Sequence, residues 1–205
     1  LWTYGLFQLP GGMLGARFGP RRTMTALFVA WFAVTALMGA VPRGLPALAA
    51  VALLAVLRGA QGAVQAPLFP VTLGGSLYAW LPPRHWGLGN ALSGTGTTAG
   101  AALAAPGVTW LVLAVGWRAS FLVVAPLALV LAAIWWRDYR DDPTAHRGVN
   151  RAEAEAIGEG RAAAPYEVPV AWRRLLADRE LLLLTLSYGC CGYVFYLFFN
   201  WLPYY

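Results

Sequence analysis

Lysine is absent from this 205-residue chain, and no aspartate or glutamate occurs before Asp138. The first 137 residues therefore carry formal charge of one sign only, all of it on arginine. A soluble domain of this size would mix both signs over its surface and carry about twice the charge; here 12% of residues are charged and 59% hydrophobic. Histidine and cysteine are also scarce, at two each. Cys190 and Cys191 are adjacent in an apolar run, where neighbouring helical cysteines do not bridge each other, so they read as small packing residues. No His-Glu-x-x-His pattern, aspartate pair or Ser/His dyad falls within an apolar run. An enzyme is thus the weakest reading, and no metal or cofactor is implied. The net charge of +6 would suggest nucleic acid in a soluble protein, but these arginines bracket apolar runs, so the expected partner is the lipid bilayer.

What is present is a series of apolar stretches of spanning length, hence an all-α integral membrane fold. The most informative runs from Leu45 to about Val71 and contains one formal charge, Arg58. As a helix it is roughly 40 Å long, so Arg58 falls well inside the hydrocarbon, where a charge costs at least ~2.5 kcal/mol. Gln61, Gly62 and Gln65 follow at i+3, i+4 and i+7 on the same face. A cation, an amide, a gap and another amide make a stripe suited to lining a cavity for a polar anion.

In chain order, Leu1 to Gly15 reads as the second part of a spanning helix, with Tyr4, Gln8 and Gly11 on one face, so a fragment is expected. A basic turn is predicted over 16–22, a second span over 23–41, and a tight turn at Pro42-Arg43-Gly44 that sends the Arg58 helix back antiparallel. Pro67 and Pro70 are expected to bend or break that helix before Trp80. Residues 86–115 form the next span, with Ser93, Gly96, Thr97, Gly100 and Ala104 along one line that suits close helix approach. Gly116-Trp117-Arg118 is predicted as a turn before a span over 119–136. Residues 137–178 are charged and contain no spanning run. Within them Asn150 to Glu153 reads as a capping box, Glu153, Glu155 and Glu159 as a solvated face, and 172–176 as a segment on the membrane surface. Residues 180–203 cross again, with Tyr193, Tyr196 and Asn200 sharing a face. The predicted domains are therefore 1–136, a linker over 137–178, and 179–205. With the 16–22 turn cytoplasmic, twelve of the fifteen arginines lie on that side and two, Arg43 and Arg118, on the other.

The residues also resemble a known family. The run Gly12-Met-Leu-Gly-Ala-Arg17-Phe-Gly19-Pro-Arg21-Arg22 is similar to the loop motif between helices two and three of the major facilitator superfamily. The run Arg58-x3-Gly62-x2-Gln65-Ala-Pro67-x-Phe69-Pro70 resembles helix four of its anion:cation symporter branch, whose members carry sugar acids. Gly116-Trp117-Arg118-x2-Phe121, Trp135-Trp136-Arg137-x-Tyr139-Arg140-Asp141 and Asn200-Trp201-Leu202-Pro203-x-Tyr205 continue the likeness, which covers family helices two to seven. There are two departures. The acidic position of the loop motif is Ala16, and the glutamate of helix four is Gln65, which can hydrogen-bond but cannot titrate.

The resemblance implies a partial major facilitator fold in a cell membrane, the bacterial inner membrane being expected. It implies alternating access with a small organic anion as substrate and H+ or Na+ as coupling cation. Arg58, Gln65, Gln61, Tyr4 and Asn200 are the expected substrate contacts, and Gly12, Arg17, Gly19, Arg21 and Arg22 the gating loop. A drug exporter of the same fold, or a non-transporting membrane sensor, is the rival reading.

Overall fold

The computed structural model describes residues 2–158 and 177–201. The chain divides into two units, residues 1–162 and residues 163–205.

The first unit is built from long helices joined by very short connections. Helix α1 spans Trp2–Phe18 and α2 spans Pro20–Gly39. The predicted turn over 16–22 is in fact a single residue. Gly19 adopts φ 81°, a left-handed conformation open to glycine, and Pro20 restarts the chain with its fixed φ at the first helical position. Pro10 lies within α1 without ending it. After the turn at 40–46, α3 spans Ala47–Gln65 and runs back against α2, as the shortness of that turn predicts.

Helix α3 ends at Gln65, two residues before Pro67, but the chain does not leave the helical path. Ala66 keeps a helical conformation, a π-helical turn over Pro70–Leu77 takes in Pro70, and a short α4, Tyr78–Trp80, ends where Leu81 becomes extended before Pro82. Proline lacks an N–H and cannot complete the ordinary ladder, so a wider i→i+5 pattern keeps the segment helical. The run from Ala47 to Trp80 is one of three long and apolar enough to cross a bilayer among the described residues, together with Pro20–Gly39 and Pro83–Asp138.

Helix α5, Trp86–Asp138, is two helices that meet at Gly116, whose φ of 80° and ψ of 161° are not helical. Fifty-three residues would reach about 80 Å if straight, more than twice a bilayer's hydrocarbon thickness, so each limb is one crossing. The limb over 117–138 packs along α2 in the opposite direction. Gly39 makes room for Arg118 and Leu122 at one end, and Arg21 meets Trp136 at the other. Met24, Phe28, Val71 and Ala132 form the shared core of α2, the π-helix and this limb, with Leu27, Trp31, Leu68 and Trp135 around it.

The charged segment after α5 begins as ordered chain. Asp142 accepts from the Thr144 N–H, and Asn150 Oδ1 accepts from the Glu153 N–H at 2.8 Å, the predicted cap, which opens α6 over Arg151–Gly158. Pro143 and Ile157 are buried. The second unit contributes α7, Arg179–Trp201, opened by Asp178, whose Oδ1 accepts from the Glu180 N–H at 2.9 Å. The readings for Glu159, 172–176 and 202–205 lie outside the described residues, as do the side chains of Tyr196 and Asn200.

Candidate functional site

Helices α1 and α3 run parallel, and their seam is set by glycine. The α1 face predicted to carry Tyr4, Gln8 and Gly11 is the face turned to α3. A Cβ on Gly11 would strike Pro67, one on Gly15 would lie 2.6 Å from Val71, and one on Gly62 would lie 2.5 Å from Thr3 Oγ1 and 3.4 Å from the Tyr4 nitrogen. Backbone thus approaches backbone along the seam, and Tyr4 is held one residue from the Gly62 contact.

Along that seam the candidate residues separate by environment. Arg58 is exposed, while Tyr4, Gln8 and Gln65 are half-buried. About 17 Å of α3 precede Arg58, so it sits near mid-span. With no carboxylate in the first 137 residues, neither α3 nor the helices flanking it offers Arg58 an acidic partner. Gln61 behaves differently from the rest of the stripe: it is 9% exposed, and its Oε1 is shielded without a hydrogen-bond partner. Of the α3 stripe, Arg58 is thus exposed and Gln65 half-buried, Gly62 is closed against Thr3 of α1, and Gln61 is buried.

At the basic end, the loop-motif residues have distinct surroundings. Arg17 and Arg22 are exposed, and the Arg17 guanidinium lies 5.3 Å from the Phe18 ring. Arg21 is tied down. Its Nε donates to the Trp136 carbonyl at 3.0 Å, its guanidinium lies 4.1 Å from the Trp136 ring, and its backbone N–H donates to Asp141 Oδ1 at 2.7 Å. Gly19 is what admits that carboxylate, since a Cβ there would come within 2.6 Å of Asp141 Oδ2. The carboxylate lies against the unsatisfied N–H groups at the start of α2, where negative charge is favoured. Nearby, Trp80 Nε1 donates to the Arg140 carbonyl at 2.9 Å, and the Trp80 ring meets Tyr139 and His146.

Sequence reasoning did not reach Asp141, Trp136 or Thr3. The first two lie in a quoted motif, but their contact with Arg21 crosses 115–120 positions, and nothing local signals it. The small-residue line is open: a Cβ on Gly96 or Gly100 would meet nothing within 4 Å, so no described residue packs there.

A family model matches the whole chain. The description "Major Facilitator Superfamily" fits residues 1–205. The chain belongs to the Major Facilitator Superfamily. It is accordingly a multi-pass membrane protein and not an enzyme. This major facilitator chain is similar along its whole length to a probable sulfoacetate transporter of Cupriavidus necator, at 29% identity over 208 residues. It is also similar to a probable galactarate/D-glucarate transporter of Escherichia coli (strain K12), at 30% over 218, and to probable anion transporter 7 of Oryza sativa subsp. japonica, at 27% over 211. It spans 46%, 47% and 46% of these relatives, just under half of each.

Proposed function

We propose that this chain is the part of a transporter that binds a small organic anion, a sugar acid or a related carboxylate or sulfonate, at the Arg58 flank of α3. The observation that carries the reading is the mid-span arginine on an open helix face with no carboxylate in the first 137 residues to neutralise it. An isolated guanidinium inside a membrane is costly, and an anionic ligand removes that cost while giving bidentate geometry. Gly62 lets α1 approach closely enough to set Tyr4 near this level of α3, and Gln65 and Tyr4 supply hydrogen bonds to hydroxyls. Relatives named for sulfoacetate and glucarate transport support the same chemical class, since both ligands present an anionic group beside polar substituents.

Transport follows by alternating access, with the chain's helices rocking against the remainder of the transporter about a midplane site, in the cytoplasmic membrane of a bacterium. Residues 137–178 act as the cytoplasmic linker, and Gly12, Arg17, Gly19, Arg21 and Arg22 as the gating loop. Proton coupling does not run through Gln65, which has no proton to exchange near neutral pH. The test is uptake of radiolabelled D-glucarate and sulfoacetate by the full-length gene product in proteoliposomes. Saturable uptake that Arg58→Ala reduces at least ~100-fold is expected, because a buried charge-assisted pair contributes about 3 kcal/mol or more. Unchanged uptake in Arg58→Ala would make Arg58 a structural charge.

A further inference from the structure

Two side-chain oxygens inside the first unit are sealed from solvent without a hydrogen-bond partner, and they lie on helices that face each other. They are Gln61 Oε1 on α3 and Thr35 Oγ1 on α2, in residues 9% and 6% exposed. Thr35 departs from its kind. The hydroxyls of Thr25, Thr72 and Thr109 each donate to the carbonyl four residues back, within 2.6–2.9 Å, and the Thr35 oxygen makes no such bond.

Helix register sets the two residues at about one level. Helices α2 and α3 are antiparallel, and two contacts align them: Thr72 Oγ1 lies 3.7 Å from Met24 Sδ, and a Cβ on Gly75 would lie 3.2 Å from Pro20. Thr35 stands as far along α2 from Met24 as Gln61 stands back along the other helix from Thr72. Each also lies on the flank facing the shared core. Thr35 continues the line of Met24, Phe28 and Trp31, and Gln61 lies two turns before Leu68. The helices already described do the burying, so no further element is needed to enclose the pair.

We propose that Thr35 and Gln61 together hold one internal water in the α2/α3 seam, and that this water positions the Gln61 amide beside Arg58. A water can donate to Gln61 Oε1 and accept from the Thr35 hydroxyl, which satisfies both buried groups. A cation is the wrong ligand there: the Arg58 charge is one turn away, and no carboxylate exists on either helix to offset it. With its oxygen engaged in the seam, the amide directs its N–H donors away from α2, toward the flank where the anion is held. Gln61 then contributes donors of fixed direction, and Thr35 acts as a positioning residue through the water.

The experiment is a double-mutant cycle in the full-length transporter, read by thermal melting and by uptake kinetics. Thr35→Val and Gln61→Met each leave the other oxygen buried alone, so each is expected to lower the melting temperature by ~3 °C or more. The double variant removes both polar groups and is expected to melt no lower than the worse single variant. Additive losses would overturn the shared water, and so would an experimental density map showing the two side chains bonded directly. For uptake of D-glucarate or sulfoacetate, Thr35→Val is expected to raise KM several-fold at unchanged maximal rate, and Thr35→Ser to restore it. A wild-type KM in Thr35→Val would overturn the positioning role. This kinetic part rests on the anion-transport reading. If the parent takes up neither acid, that reading fails, while the melting cycle still decides the water.

Discussion

Gln65 shows how much one atom type decides. The family resemblance puts a glutamate at its position, and the amide keeps the shape and the hydrogen bonding while removing the proton. Restoring the acid is therefore informative. Gln65→Glu is expected to make uptake pH-dependent, because it restores a group that can take up and release a proton at this position. Initial uptake rates measured from pH 5 to 8 check this. A pH profile identical to that of the parent would show that position 65 does not communicate with the transport step. Gly62 makes the complementary case for size. Its missing Cβ would lie 2.5 Å from Thr3 Oγ1, so Gly62→Val is expected to push α1 off α3 and to abolish uptake, whereas Gln8→Ala, farther from the Arg58 level, is expected to change KM less than threefold. Parallel uptake assays on the two variants, at matched expression, separate these outcomes.

Among the elements, the junction between α1 and α2 has the most specific construction. The reversal is made by Gly19 alone, and Asp141 closes it from 120 residues away. Gly19→Ala both forces a side chain into a left-handed backbone and drives a Cβ against the Asp141 carboxylate. It is expected to cost about 2 kcal/mol or more, against about 1 kcal/mol for Asp141→Ala, which removes only the acceptor at the helix start. Thermal melts of the purified transporter check the order. An Asp141→Ala variant that melts at the parent's temperature would mean that Asp141 does not hold the junction. The same junction marks where sequence reasoning succeeds and where it stops. The basic motif, its glycines and the Asn150 cap were legible because they are local: each depends on residue type and spacing over a few positions. The turn was predicted too long because charged and glycine-containing residues read as loop, when arginines at a membrane edge are equally at home on helix ends. The π-helix over Pro70–Leu77 was read as a bend or break, since proline spacing reports a disturbed ladder but not the pattern that repairs it. Asp141 was not found at all, because a tertiary contact leaves no periodicity.

For the molecule as a whole, apolar runs and short turns were enough to order the helices, and the first unit follows that order where described. The environments of the site residues were legible only in part. Arg58 is exposed and Gln65 half-buried, whereas Gly62 packs on Thr3 and Gln61, drawn from the same stripe, is buried. A helical wheel assigns a direction to each residue but not what occupies that direction. Reconstitution is the relevant test at this scale. Residues 1–162 alone are expected to show no uptake, because the chain spans just under half of the relatives it matches and a midplane site needs both sides.

The glycine contacts along α1 have a mechanical consequence. Gly11 and Gly15 lock against Pro67 and Val71 at a spacing that admits no side chain, and Gly12 meets Pro70 at ordinary contact distance, so this seam has little slack and is a poor slip plane. Two helices that are not consecutive in the chain thus travel as one strut, with Arg58 and Tyr4 mounted on it at fixed separation. A short cysteine cross-link joining Gly12 to Pro70 should accordingly leave turnover intact, because it fastens parts that never move past each other.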